Sequence, residues 1–137
     1  MIQITRREHF NAAHRLFNPK WSEQKNLEVF GICSRVHGHN WELFVTVEGD
    51  IDQDYGWVMD LKVLRDVVRK HIVSKVDHTY LNDNIEFFDG ILPSVENFAI
   101  VIFNKLSPIL KEEYNVRLHS IKLIETENHL AEYFGES

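Results

Sequence analysis

The residues Cys33-Ser34-Arg35-Val36-His37-Gly38-His39-Asn40 put a lone cysteine four positions ahead of a His-Gly-His triplet, and that triplet opens an alternating apolar run. Alternate side chains of a strand share a face, so a strand here projects the imidazoles of His37 and His39 together, about 7 Å apart along the backbone. Two such rings can chelate one metal ion. Zinc takes neutral imidazole nitrogens, and a catalytic zinc site uses three protein ligands and keeps its fourth position open. His14, in Phe10-Asn11-Ala12-Ala13-His14-Arg15-Leu16, is the candidate third ligand.

A chain of 137 residues with 44% hydrophobic content fits a single domain, residues 1–137, with a real core. Its 21 acidic residues outnumber 15 basic ones, and no clustered basic footprint is present, which argues against a nucleic-acid partner. A small anionic substrate stays compatible, because a local pocket can be basic on an acidic protein. The chain enters a strand pattern at Ile2 and holds no apolar run near the roughly 18 residues of a membrane span, so a soluble, cytoplasmic protein is expected. A single cysteine makes no internal disulfide. Cys33 is therefore a small buried hydrophobe, a metal ligand or a reactive thiol.

Periodicity supplies the elements. Residues 2–15 read as a first strand, bulged near Asn11 because Ala12-Ala13 interrupts the alternation. Residues 18–30 read as a polar loop beside the metal candidates, and Gly31 lets the backbone turn before Cys33. Trp41, Leu43, Val45 and Val47 define a second strand over 39–51. Asp60 caps a helix over 60–75, and Ser94 caps a second helix, carrying Glu96 in its first turn, that Pro108 kinks or breaks. Asp77-His78 follows the first helix as a candidate orienting pair, and 84–92 is loop. Strands over 116–126, ending in Glu125-Thr126, and 130–134 complete the order ββααββ. The expected fold class is α+β, a four-stranded antiparallel sheet with two helices on one face, whose open edges oligomerisation could pair.

Taken together, F-x-A-A-H ending at His14, C-x-x-x-H-G-H from Cys33, D-H-x-x-L-N from Asp77, Pro93-Ser94-Val95-Glu96-Asn97 and Glu125-Thr126 give the chain its resemblance to the 6-pyruvoyltetrahydropterin synthase and 6-carboxytetrahydropterin synthase family. The likeness covers nearly the whole length. It implies a tunnelling fold, in which trimers close their sheets into a barrel and two trimers stack as a homohexamer with active sites at subunit interfaces. It implies Zn2+ held by His14, His37 and His39, Cys33 as the proton-abstracting base, and Asp77 and His78 as a second proton-transfer pair. Glu125 becomes the anchor of the pterin ring and Glu96 a further substrate contact. The implied substrate is 7,8-dihydroneopterin triphosphate.

Two branches of that family differ in product. The three residues between Cys33 and His37 resemble the 6-carboxytetrahydropterin synthases of the queuosine pathway, which release triphosphate and acetaldehyde. The segment Asn26-Leu27-Glu28-Val29-Phe30-Gly31 resembles the pyruvoyl-forming enzymes, which release triphosphate without acetaldehyde. The spacing carries more weight, because it sets how the base meets the substrate side chain. A zinc-binding interaction module that has lost activity is a third reading, and the full set Cys33, Asp77 and His78 argues against it.

Overall fold

The computed structural model describes residues 1–136. In chain order the elements are β1 (Ile2–His14), α1 (Glu23–Phe30), β2 (His37–Gly49), α2 (Leu61–Val68), β3 (Thr79–Tyr80), α3 (Val95–Tyr114), β4 (Arg117–Thr126) and β5 (His129–Tyr133). They form an α+β fold around one sheet of five strands in the order β3-β1-β2-β4-β5. Every pairing is antiparallel except that of β3, which lies parallel to β1 at the sheet edge. The expected four strands therefore become five, because two residues after the Asp77-His78 pair find the free edge of β1.

β1 and β2 pair without interruption from Ile2↔Gly49 to His14↔His37. The expected bulge near Asn11 is absent. Ala12 and Ala13 sit opposite His39 and Gly38, so the two small residues provide room for a ring on one face without bending the strand. The irregularity lies instead between β2 and β4, where Thr46 pairs with Ser120 while Val47 pairs with Leu118. The extra residue, His119, shifts the phase of β4. Leu118 faces inward on one side of it, and Ile121 and Leu123 face inward on the other.

The inner face carries Phe10, Trp41, Leu43, Val45, Ile121 and Leu123, all buried in one cluster with Leu64, Val68 and Ile72 of the α2 segment and Phe98, Ile102 and Leu106 of α3. Asp60 caps α2 by accepting from the Lys62 N–H at 2.8 Å, as its residue type predicts. The helix continues through a π-helical turn, Arg69–Val73, and one further α turn, Ser74–Val76. That π turn begins at Arg69, whose guanidinium donates to Glu8 Oε1 at 2.8 Å, a carboxylate on β1 that Arg6 also holds at 2.7 Å.

Three further expectations are corrected. Residues 18–30 are not all loop, since α1 occupies Glu23–Phe30, and its one buried residue is Asn26. Pro108 does not break α3, which runs unbroken to Tyr114 and ends on left-handed Asn115. Pro108 and Asn104 are both exposed, so the carbonyl that loses its N–H partner meets water. A short helical turn, Ile85–Phe88, also interrupts the 84–92 loop.

Candidate metal centre and active site

The continuous β1–β2 register puts His14 directly opposite His37, and His39 is two residues further along the same face. The ring centroids form a near-equilateral triangle, with sides of 4.7 Å (His14–His37), 5.1 Å (His14–His39) and 4.9 Å (His37–His39). One donor atom from each histidine lies within 4.8 Å of the others. Trp41 floors this cluster, its ring edge-on to His14 at 5.2 Å and to His39 at 5.4 Å, and its indole N–H donates to the Ala12 carbonyl at 3.1 Å.

Backbone carbonyls fix the tautomers. A carbonyl only accepts, so His14 Nδ1–H donates to Pro93 O at 2.7 Å, and His37 Nδ1–H donates to Arg35 O at 2.7 Å. Each ring then presents Nε2 as a lone pair. The Nε2 atoms of His14 and His39 are buried with no hydrogen-bond partner, a costly condition that a bound cation would relieve. Burial also depresses the pKa of both histidines below the ordinary 6.5, so both are neutral ligands near pH 7. The donor set fits a zinc-like ion. His37 and His39 share a face, as the His-x-His spacing predicts, and His14 joins them.

Glu125 reaches the same cluster. Extending the β2–β4 register, in which Leu43 pairs with Leu123 and Glu42 with Ile124, sets Glu125 beside Trp41 on the inner face. Its Oε2 lies 3.8 Å from His14 Nε2 and its Oε1 lies 3.8 Å from His39 Nε2. The bulge at His119 decides this orientation, because an unbroken alternation from Leu118 would turn Glu125 outward. The signal was present in the sequence as an apolar step of three, Leu118 to Ile121, where a regular strand steps by two.

Asp77 and His78 are held against the other edge of β1. The Asn11 N–H donates to Asp77 Oδ1 at 3.0 Å, the His78 N–H donates to Asn11 O at 2.6 Å, and Asp77 Oδ1 stands 2.9 Å from His78 Nδ1. The Asn11 N–H, followed by His78, holds the Asp77 carboxyl below its ordinary range. His78 adopts a left-handed backbone with φ 62°, a state uncommon for a non-glycine residue but one that histidine tolerates better than most, and the two bonds to β1 secure it. His78 and His39 border one open surface depression with Asn11, Gly38 and Tyr80. Asn82 ties the turn after β3 to the end of β1, donating to Arg15 O at 3.0 Å and accepting from the Arg15 N–H at 2.9 Å.

Cys33 lies exposed on the 3-10 turn Gly31–Ser34, and its carbonyl accepts from the Leu16 N–H at 2.8 Å, which ties that turn to the chain just past His14. Gly31 enters that turn at φ 59°, the left-handed conformation its residue type permits. Glu96 stands in the first turn of α3, beyond the Pro93 carbonyl that orients His14. Among the described residues, no hydrogen bond or ion pair joins Cys33 or Glu96 to the triad. Trp41, Pro93, Arg35 and Asn11 are the supporting residues whose roles sequence reasoning missed. Three of them act through backbone atoms, which no residue type announces.

Three convergent imidazoles at one end of an α+β sheet define a protein with a candidate metal site, and an aspartate–histidine pair is held at the edge of the same sheet. Comparison with known proteins makes the class specific. The family profile of 6-pyruvoyl tetrahydropterin synthase matches residues 3–136, and the chain belongs to that family. It is 35% identical over 135 residues to the 6-pyruvoyl tetrahydrobiopterin synthase of Dictyostelium discoideum, covering 98% of this chain and 97% of that one. It is 29% identical over 147 residues to the 6-carboxy-5,6,7,8-tetrahydropterin synthase of Rickettsia typhi, covering 96% and 99%. The fold matches the solved 6-pyruvoyl tetrahydropterin synthase of Caenorhabditis elegans with a TM-score of 0.89 at 33% identity, covering 98% of this chain and 96% of that one.

Proposed function

We propose that this chain is a zinc-dependent lyase that converts 7,8-dihydroneopterin triphosphate to 6-carboxy-5,6,7,8-tetrahydropterin, with loss of triphosphate and acetaldehyde. The observation that carries the reaction class is the convergence of the His14, His37 and His39 donors within 4.8 Å of one another. A zinc ion bound by the three imidazoles would act as a Lewis acid on the hydroxyls of the substrate side chain. Trp41 excludes water from beneath the triad, and the Pro93 and Arg35 carbonyls hold His14 and His37 in the ligating tautomer.

Cys33 takes a carbon-bound proton from the substrate side chain in this reading, as its thiolate. His78 exchanges protons through Nε2, because Nδ1 faces Asp77, and the fixed charge of Asp77 stabilises the imidazolium that forms. Glu125 anchors the pterin ring by accepting from its N–H groups, and Glu96 adds a contact from the first turn of α3. The His78 side chain is 76% exposed and Cys33 is exposed too, and in the homohexamer of this reading a neighbouring subunit would cover both. Among the described residues, no helix is long and apolar enough to cross a membrane.

The short Cys33–His37 connection, one 3-10 turn and two residues, supports the carboxylated product. A second reading, formation of the 6-pyruvoyl product, is favoured by the 35% identity to the Dictyostelium enzyme over nearly the whole chain. Both share triphosphate loss, and the fate of the side chain separates them. Zinc-loaded protein given 7,8-dihydroneopterin triphosphate is expected to yield 6-carboxytetrahydropterin by mass spectrometry together with released acetaldehyde. A pyruvoyl product without acetaldehyde selects the second reading, and no turnover by metal-loaded protein rejects both.

A further inference from the structure

The geometry of Glu125 goes beyond holding a pterin ring. We propose that Glu125 is an exchangeable fourth ligand of the metal centre, closing it while the pterin site is empty and leaving it when a dihydropterin takes the carboxylate. This rests on the reading of His14, His37 and His39 as a metal site.

Three observations carry it. The carboxylate straddles the two buried, unpartnered nitrogens of the triad, with one oxygen 3.8 Å from His14 Nε2 and the other 3.8 Å from His39 Nε2. Ligand atoms of a tetrahedral zinc stand about 3.3 Å apart, given bond lengths near 2.0 Å, so a small side-chain movement brings one oxygen into the first coordination sphere. The backbone is also built to deliver this side chain. The bulge at His119 sets the inward phase of β4, and a second irregularity between β4 and β5, where Ile124 pairs with Leu130 and Thr126 with His129, falls at Glu125 itself. Finally, the position is mostly enclosed, with the Glu125 side chain 20% exposed, so its carboxylate faces the rings of His14 and His39 more than solvent.

Three imidazoles leave the ion dicationic, and a carboxylate beside them lowers that charge and occupies the position a substrate hydroxyl must reach. The pterin ring and the metal then compete for one side chain. Substrate arrival draws Glu125 to the ring and opens the metal, coupling the two halves of recognition without a moving loop.

The test replaces zinc with cobalt in the full-length protein, because cobalt ligand-field bands report coordination directly. Glu125→Gln is expected to change those bands and to weaken metal affinity roughly 10-fold in competition with a chromophoric chelator. Glu125→Asp keeps the charge but withdraws it by one methylene, and is expected to change the bands in the same way. Adding 7,8-dihydroneopterin to the wild type should move its spectrum toward that of Glu125→Gln, a readout that needs no variant. Wild-type bands and affinity in Glu125→Gln, or a wild-type spectrum indifferent to the dihydropterin, would overturn the exchange. A wild type that takes up no cobalt would instead sink the metal reading on which it rests.

Discussion

Each ligand histidine depends on a neighbour whose part is small and specific. Ala12, opposite His39, contributes space; Pro93 and Arg35 contribute carbonyls; Trp41 contributes a dry floor. Cys33 belongs to a different layer of the site, since it rides on an exposed turn with no polar link to the triad. Cys33→Ala is therefore expected to lower turnover by about 100-fold or more while leaving metal content unchanged, checked by product formation and elemental analysis on the same samples. Loss of metal along with activity would make Cys33 a ligand and refute its assignment as base. At this scale the sequence was informative where chemistry lives in residue type, as in His37-Gly38-His39, and silent where it lives in the backbone. The Asn11 amide and carbonyl that position Asp77 and His78 are invisible in the letters of the chain.

Elements were legible where burial imposes a period. The apolar stripe of α3 and its Ser94 cap, and the alternation of β2, follow directly from residue order. α1 was missed because its inward contact is polar: Asn26 accepts from the Asn18 N–H at 2.7 Å and donates to the Asn18 and Ser22 carbonyls, while Leu27 and Val29 are exposed. β3 escaped because two residues carry no period at all. The start of α3 deserves a test, since Ser94 Oγ accepts from the Asn97 N–H at 3.1 Å next to the carbonyl that orients His14. Ser94→Ala should cost about 1 kcal/mol, read from the urea midpoint of the metal-free protein. An unchanged midpoint would mean that the cap contributes nothing.

At the level of the whole molecule, buried His14 and half-buried His39 make metal-free stability depend on pH. Burial lowers the folded-state pKa of His14 and His39 below 6.5, so under mildly acidic conditions the unfolded chain binds more protons than the folded one. Stability is then unaffected above 6.5 and falls as pH drops from there toward the folded-state values. Asp77 adds a second loss in stronger acid, because its folded-state pKa lies below its ordinary 3.8. Urea midpoints of metal-free protein should decline as pH falls below about 6.5, and a flat profile would contradict the lowered pKa values of His14 and His39. The same three rings carry the account as a whole, and their metal is best measured by zinc content per chain in the wild type and in His37→Ala. The expected result is one zinc per wild-type chain and no stoichiometric zinc in a folded His37→Ala variant. A His37→Ala protein that keeps one zinc per chain would contradict the triad as the metal centre.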